Sequence, residues 1–250
     1  MLTGAASAED RGRLEHRLLG IAEVTDEFSA GRFAELARAE IDSLLAEGRR
    51  PIVVGGTGLY LRAALSDIDL RPPVAPEIRE AVERKVVERG PEALHEELDP
   101  GAAAGIHPRD RKRVARALEL QRAGLEPPPP GGGELWTANL RHPTLLAGIV
   151  VDRAELARRI DERVDAMAAA GAREEVRRAD ASGASRTARS AIGFEELLAG
   201  DIEAMKRSQR HYARRQLTWM RKMRGVTLID ATGRTEAEVV GQIVATLGRD

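Results

Sequence analysis

The chain has 250 residues and a mass of 27.1 kDa, enough for one or two domains with a substantial core. Its 42% apolar and 32% charged residues are typical of a globular protein and argue against general disorder. The absence of cysteine excludes disulfides, thiolate metal sites and cysteine nucleophiles. No apolar run or leader pattern indicates a membrane span or a signal peptide, which predicts a cytoplasmic protein with no membrane partner.

The first predicted elements follow the order helix, strand, glycine turn, helix. Apolar residues at helical spacing predict a helix from Ser29 to Gly48. Pro51–Val54 is a short continuous apolar run, typical of a strand buried on both faces, and the turn after it leads into a helix over Leu59–Leu65. This order is typical of a parallel α/β sheet. The other predicted strands are Leu18–Val24, which is the weakest, Leu145–Val151 and Val226–Ile229.

The middle of the chain is predicted to be a helical insertion into this sheet domain. Helical spacing continues up to Gly90, a second helix runs from Arg109 to Ala123, and the Pro- and Gly-rich segment 126–133 is typical of a linker. We therefore expect an α/β core that begins in 1–71 and resumes in 134–250, with the helical insertion over 72–133. Further helices are predicted over 152–179, 193–198 and 203–224.

The turn Gly55–Tyr60 is the first candidate site. It places backbone amides and the Thr57 hydroxyl at a helix N-terminus, which suits a phosphate or another anion, and its glycines would let a ligand approach the backbone closely. The spacing fits neither a Walker A loop nor a dinucleotide fingerprint. A purely structural tight turn is therefore an equally good interpretation.

The helix that follows Arg109 carries a cationic stripe. Arg109, Lys112, Arg113 and Arg116 recur at i, i+3, i+4 and i+7, without an acidic residue on the same face. Stacked like charges destabilise an isolated helix. A polyanionic partner such as a nucleic acid would offset that cost.

The last basic helix gives the strongest charge signal. It holds eight basic residues and no acid between Lys206 and Arg224. Tyr212 and Trp219 could stack on bases, although packing in the core is the alternative interpretation of such aromatics. The basic residues that share one face are Arg207, Arg210, Arg214 and Arg221.

Two arginines, Arg159 and Arg163, lie one turn apart on the helix over 152–179. They could clamp one phosphate, or they could pair with the nearby carboxylates of Glu155, Asp161 or Glu162. The five histidines show no ligand spacing, so no metal site built from protein side chains alone is predicted.

Several of these segments together resemble the bacterial tRNA dimethylallyltransferases. They occur in the order of that family along nearly the whole chain, which makes the resemblance specific. The segments are Pro51–Leu61, Ile106–Glu119, Leu156–Gly171, Ala191–Glu196 and Tyr212–Trp219.

The resemblance implies an enzyme that moves a dimethylallyl group from its diphosphate to N6 of the adenosine beside the tRNA anticodon, with Mg²⁺ as cofactor. It also implies a P-loop-NTPase-like α/β core with a parallel sheet, and a helical insertion that holds the anticodon stem-loop. We expect a monomer whose partners are tRNA and dimethylallyl diphosphate. By position, the family's tRNA contacts match Thr57, Arg79, Lys112, Arg113, Val114, Ala115 and Arg116, its diphosphate arginines match Arg159 and Arg163, and its basic C-terminal helix includes Arg210, Arg214 and Arg215.

The start of the chain departs from the family pattern. The family opens with a glycine-rich phosphate loop ending in Gly-Lys-Ser/Thr and then an aspartate that is the expected general base, and neither is found here. When His16–Leu19 is aligned with the family's His-His-Leu block, Ala5 stands where a lysine belongs. We therefore expect a core that is incomplete at its N-terminus, no retained catalytic residue, and poor transfer by this chain. The alternatives are a non-catalytic tRNA-binding module and a small-molecule phosphotransferase related by fold.

Overall fold

The computed structural model describes residues 6–68, 70–126 and 137–247. The described chain is mostly helical, has one small parallel sheet, and divides into two compact units. The first, which we call the sheet unit, comprises Met1–Ser66 and Leu140–Asp250, and the second, the helical unit, comprises Asp67–Asn139. The insertion over 72–133 stays a prediction of domain organisation, and its linker lies outside the described residues from residue 127 onward.

Along the chain, the helical unit lies between two parts of the sheet unit. In the described part of the chain, every helix is too short or too polar to cross a lipid bilayer. In chain order the elements are α1 (Ala8–Arg13), α2 (Ala30–Ala46) and α3 (Gly58–Leu65) in the sheet unit; α4 (Pro76–His95), α5 (Pro100–Ala103) and α6 (Arg111–Arg122) in the helical unit; and β1 (Leu146–Val150), α7 (Arg153–Ala169), α8 (Ala172–Ala181), α9 (Arg186–Arg189), α10 (Phe194–Ala199), α11 (Ile202–Lys222), β2 (Val226–Asp230) and α12 (Glu236–Leu247) in the sheet unit again.

The parallel sheet forms where two strands were predicted. β1 and β2 pair in parallel, with Leu146 opposite Val226 and Val150 opposite Asp230. Parallel strands need a long crossover, and α7 to α11 provide it. The predicted strands Leu145–Val151 and Val226–Ile229 are thereby confirmed.

The other two strand predictions are wrong. Leu18–Val24 is irregular, because Leu18 adopts φ 60°, a left-handed backbone that a strand does not contain. Pro51–Val54 forms no strand and is not buried, since Ile52 is 78% exposed and Val54 is 88% exposed. A strand needs a hydrogen-bonding neighbour, and among the described residues this segment has none.

Most predicted helices are confirmed, and glycine conformation explains where they differ. α2 begins after Ser29, whose hydroxyl accepts a hydrogen bond from the N–H of Arg32. The single helix predicted over 152–179 is wrong, because Gly171 adopts φ 94° and separates α7 from α8. At φ 77°, Gly90 kinks α4, which continues past its predicted end.

Two cores hold the elements that carry the candidate sites. In the sheet unit, α7, α8, α10 and α11 enclose one apolar cluster, so that α7 and α11 lie side by side. In the helical unit, α4 and α6 enclose another. The buried side chains are Ile160, Val164, Ala172, Val176, Phe194, Leu197 and Met205 in the first cluster, and Val82, Val86, Leu94, Leu98, Ala102, Val114, Ala115, Ala117 and Leu118 in the second.

Candidate functional site

The glycine turn before α3 packs closely against α11. A Cβ atom on Gly58 would lie 2.0 Å from Cε3 of Trp219, and one on Gly56 would lie 1.8 Å from Nε2 of Gln216. Neither distance is possible between non-bonded atoms, so something must shift in each case. At Gly58 the obstacle is the rigid indole ring, whereas at Gly56 it is the end of the flexible Gln216 side chain, so the requirement for glycine is strict only at Gly58. The glycines therefore have a packing role, as the structural interpretation of the turn expected, and Trp219 packs within the protein.

Thr57 joins the same turn to α11 through a hydrogen bond. Thr57 is the residue before α3, but its side chain does not cap the helix. Its hydroxyl lies 2.8 Å from that of Tyr212, and the Arg215 guanidinium lies 5.6 Å from the centre of the Tyr212 ring. The turn and the basic helix thus form one wall, and anion binding by the turn's amides stays a prediction.

A cavity of about 710 Å³ lies among this turn, α7 and α11. It contains both arginines that the sequence singled out for phosphate, together with an arginine of α11. No carboxylate or imidazole belongs to the lining described by the structure, so the cavity carries net positive charge. Its polar side chains are those of Thr57, Arg159, Arg163, Ser190, Gln209, Tyr212, Arg215 and Gln216.

The two α7 arginines of the cavity have different partners. Arg159 forms an ion pair with Glu155, one turn earlier on the same helix. Arg163 forms no ion pair within the described residues, and its Nη2 donates a hydrogen bond to Oε1 of Gln209 at 3.2 Å. The geometry therefore does not place the two arginines as an equivalent clamp.

The remaining carboxylates near Arg163 are already engaged. Asp161 pairs with Arg210 of α11, and Glu162 pairs with Arg158 at 2.7 Å. Each neighbouring acid thus has another arginine as partner, which leaves the charge of Arg163 uncompensated.

The basic residues of α11 divide into engaged and available cations. Arg210 is committed to Asp161 across the helix pair. Arg214 and Arg215 are exposed, and their described contacts are with His211 at 3.4 Å and with the Tyr212 ring. Arg214 and Arg215 therefore keep a charge that a polyanion could use, whereas Arg210 serves helix packing.

A second cavity, of about 630 Å³, lies beside the first. It shares Ser190, Ala191, Ile192 and Arg215 with the first cavity. Its charged lining mixes both signs: Arg189, Arg207, Arg214, Arg215, Glu195 and Glu196.

In the helical unit, the predicted stripe of α6 separates into an exposed part and a structural part. Lys112 is exposed, Arg113 is 64% exposed with Asp110 at 3.4 Å, and Arg109 is 80% exposed. The fourth member, Arg116, turns inward. The exposed part of the stripe thus consists of Arg109, Lys112 and Arg113, of which Arg109 pairs with Glu92 at 3.3 Å and Arg113 pairs with Asp110.

Arg116 holds the helical unit together. Its Nη2 donates to the carbonyl oxygens of Arg71 at 3.2 Å and Pro72 at 2.7 Å, and its Nη1 bonds to the buried carboxylate of Glu119 at 3.1 Å. Arg79 approaches the same carboxylate at 3.8 Å. Two residues expected at the tRNA surface, Arg79 and Arg116, therefore share an internal acid.

The expectation that Val114 and Ala115 contact tRNA must be corrected. Their side chains are 0% and 6% exposed and lie in the core between α4 and α6. They cannot touch a tRNA through those side chains, because both side chains are buried in the core of the helical unit.

No metal centre forms among the described residues, since no three carboxylate or imidazole side chains lie close enough to hold an ion. The residues present therefore do not provide a protein-only site for the Mg²⁺ that the resemblance implies. Such an ion would have to draw its ligands largely from the diphosphate itself.

Sequence reasoning gave no role to two neutral polar residues of the cavity wall, Gln209 and Gln216, and considered Tyr212 only as a residue that stacks on bases or packs in the core. Gln209, Tyr212 and Gln216 recur at i, i+3 and i+7, so they share one face of α11. This spacing was visible in the sequence, but the prediction for this helix considered only its basic and aromatic residues.

The fold and site therefore describe a mostly helical protein with a small parallel sheet and an arginine-lined cavity between α7, α11 and the glycine turn. The family model for IPP transferase matches residues 1–223, and the chain belongs to that family. The tRNA dimethylallyltransferase of Anaeromyxobacter dehalogenans (strain 2CP-C) is 43% identical over 244 residues, which cover 91% of this chain and 80% of that protein. That of Geobacillus thermodenitrificans is 40% identical over 248 residues, covering 92% and 77%.

Solved structures give the same result. The full-length tRNA isopentenylpyrophosphate transferase of Bacillus halodurans superposes with a TM-score of 0.68 at 31% identity, covering 99% of this chain and 82% of that one. The tRNA delta(2)-isopentenylpyrophosphate transferase of Staphylococcus epidermidis superposes with a TM-score of 0.65 at 29% identity, covering 98% and 84%.

Proposed function

We propose that this chain is a tRNA dimethylallyltransferase, which transfers a dimethylallyl group from dimethylallyl diphosphate to N6 of the adenosine adjacent to the tRNA anticodon. The observation that carries the proposal is the cavity between α7, α11 and the glycine turn, where arginines gather without a carboxylate. Membership of the IPP transferase family suggests which reaction this positive cavity serves. A diphosphate is the anion that it would hold.

The reaction sets clear demands on such a cavity. The bond between C1 of the dimethylallyl group and the diphosphate oxygen breaks, a bond from N6 to C1 forms, and N6 loses a proton. Negative charge grows on the departing diphosphate, and a fixed cation beside it stabilises that transition state. We assign this task to Arg163, because Arg159 is neutralised by Glu155. No residue of the cavity is assigned as the proton acceptor.

Contact with the tRNA is assigned to two exposed basic surfaces. On α6 the residues are Lys112 and Arg113, and on α11 they are Arg214 and Arg215. Each would contact phosphates of an anticodon stem-loop, a contact that positions an RNA without reading its sequence. Mg²⁺ would enter with the diphosphate, and no step is assigned to it.

The proposal also includes a P-loop-NTPase-like core and a monomeric state. The parallel pairing of β1 and β2 across a helical crossover supports such a core, since doubly wound sheets are built from this unit. The low activity expected of this chain stays a prediction.

The test compares this 250-residue chain with the Anaeromyxobacter dehalogenans relative. Each is incubated with radiolabelled dimethylallyl diphosphate, Mg²⁺ and unmodified tRNA, and binding of the same tRNA is measured by filter retention. We expect both chains to bind tRNA and this chain to transfer the label more slowly than the relative. Robust transfer would support the function and contradict the expected impairment. Failure to bind tRNA, together with no transfer, would overturn the proposal.

Two further outcomes identify the alternatives. Binding of tRNA with no detectable transfer at any enzyme concentration would favour a binding module. Turnover of a small phosphorylated substrate that is insensitive to charge reversal at Lys112 and Arg113 would favour a phosphotransferase related by fold.

A further inference from the structure

Gln209 lies where α7, α11 and the positive cavity meet. It is 8% exposed, it belongs to the cavity lining, and its Oε1 accepts the hydrogen bond from Nη2 of Arg163 at 3.2 Å. Apolar side chains of both helices, including Ile160 and Met205, form the core beside it. A buried amide in such a place is costly unless it is hydrogen-bonded, so its partner is not incidental.

Gln209 is neutral, unlike the partners of three other arginines on this helix pair. Arg158, Arg159 and Arg210 each meet a carboxylate, whereas Arg163 meets an amide oxygen. An amide oxygen fixes the orientation of a guanidinium but leaves its charge intact. A carboxylate in the same position would form a charge-assisted pair and would cancel that charge inside the cavity.

We propose that Gln209 is a positioning residue, which holds Arg163 at the cavity while leaving its positive charge free for the diphosphate. The inference rests on the proposed function and adds to it a residue that acts through Arg163. Neutrality at position 209 is therefore a requirement for binding the anion.

The experiment substitutes Gln209→Glu, a change of nearly equal shape that adds one negative charge. The probe is inorganic pyrophosphate with Mg²⁺, titrated calorimetrically into the 250-residue chain without tRNA. We expect pyrophosphate affinity to fall about tenfold or more, because Arg163 becomes paired. Affinity within about twofold of the parent chain would overturn the inference.

A matched control exists at Gln242 of α12, which also accepts a hydrogen bond from an arginine. Nη1 of Arg234 donates to Oε1 of Gln242 at 2.6 Å, and this pair is exposed and outside the cavity. Gln242→Glu makes the same chemical change in the same kind of pair. We expect pyrophosphate affinity to stay within about twofold of the parent chain. An equal loss in both variants would mean that net charge alone is responsible, and the inference would fail.

Gln209→Met separates charge from shape. Methionine fills a similar volume without accepting the hydrogen bond, so Arg163 keeps its charge but loses its orientation. We expect a loss of about threefold, clearly smaller than that of Gln209→Glu. Equal losses in the two variants would indicate a merely structural role and overturn the inference. Thermal unfolding of each variant shows whether folding is retained.

The outcomes also separate this inference from the proposed function. Pyrophosphate binding needs no tRNA, so the expected order of affinities can hold in a chain that fails the transfer assay. If the parent chain binds no pyrophosphate at millimolar concentration, the inference about Gln209 fails. The proposed function is then still tested by the tRNA-binding and transfer assays.

Discussion

Two helical glycines of the sheet unit have opposite surroundings. Gly58 begins α3 with the Trp219 ring against it, whereas a Cβ on Gly241 in α12 would meet nothing within 4 Å. We expect Gly58→Ala to lower the free energy of unfolding by about 1–3 kcal/mol, because the indole must shift. Gly241→Ala should raise it by up to about 1 kcal/mol through helix propensity. Urea denaturation measures both changes, and a neutral Gly58→Ala would contradict the packing of Trp219 on the turn.

Asp42 provides a pH-dependent contact in the sheet unit. It accepts hydrogen bonds from Arg141 at 2.8 Å and His142 at 2.9 Å, and the bond from Arg141 is the main cause that lowers the pKa of Asp42. A carboxyl whose pKa is lowered in the folded state contributes stability above its unfolded pKa, near 4, and loses it as the pH falls through the folded pKa.

We therefore expect Asp42→Asn to lower the unfolding free energy at pH 7, by an amount that shrinks as the pH falls below about 4. Urea titrations of parent and variant at several pH values measure this difference. A difference that stays constant with pH would show that the carboxylate charge is not involved.

At the level of single residues, the sequence predicted that two arginines of α7 lie close together but not which groups each of them contacts. Arg159 and Arg163 do line one cavity, but their spacing is the same whether a carboxylate or an amide faces them. The partner Gln209 comes from a helix 46 positions away, and no local pattern reveals such a contact. The glycine turn was likewise ambiguous, because close approach by a ligand or by Trp219 requires the same small residue.

Helix α6 carries the exposed cations proposed to contact tRNA as well as an arginine with structural contacts, and substitutions should separate the two. Arg116→Ala removes the hydrogen bonds to two backbone carbonyls. It also removes the hydrogen bond from Arg116 to the buried carboxylate of Glu119. We expect a loss of about 1–3 kcal/mol in stability. Arg113→Ala should change stability by less than about 0.5 kcal/mol while weakening tRNA binding. Denaturation and filter binding of both variants test this, and a stable Arg116→Ala variant would contradict the structural role.

Arg214 and Arg215 are exposed basic residues of α11, and neither pairs with a carboxylate among the described residues. We expect the double reversal Arg214→Glu and Arg215→Glu to weaken tRNA binding and to reduce the salt dependence of the binding constant by about two phosphate contacts. Arg177 and Arg178, an exposed pair on α8, give the control, since Arg177→Glu with Arg178→Glu makes the same change in net charge. Equal losses in the two double variants would mean that RNA does not contact α11 specifically.

The ends of several helices are set by capping residues and glycines that are visible in the sequence, but the sequence analysis used only some of them. α12 was not predicted, although Thr235 and Glu238 form reciprocal capping hydrogen bonds at its start, a pattern readable as Thr-x-x-Glu. Gly171, which breaks the long predicted helix, was also visible. Helices with strong periodicity, such as α2, were predicted because an apolar face is itself a sequence property.

For the whole molecule, the exposed apolar segment Pro51–Val54 is expected to affect solubility. Its side chains resemble those of a buried strand, but Ile52 and Val54 are mostly exposed and unpaired within the described residues. Unpaired apolar extended segments promote association. We expect Ile52→Thr combined with Val54→Thr to raise the concentration at which light scattering begins, with little change in thermal stability. A lower unfolding temperature would show that these side chains are packed in solution.

The same segment shows the limit of sequence reasoning at this scale. Composition and periodicity indicated a strand, but a strand exists only when a neighbour supplies its hydrogen bonds, and that is a property of the assembled sheet. The pair β1 and β2 was predicted and forms because each provides the other's partner.

The contact between Trp219 and Gly58 places a fluorescent side chain next to the cavity. The indole rests on the backbone of the turn whose neighbouring residues, Gly56 and Thr57, line the cavity. Any anion that draws this turn toward α7 would change the polarity around the indole, and hence its emission. In a Trp136→Phe chain, fluorescence would then follow occupancy of the cavity directly, without label or turnover.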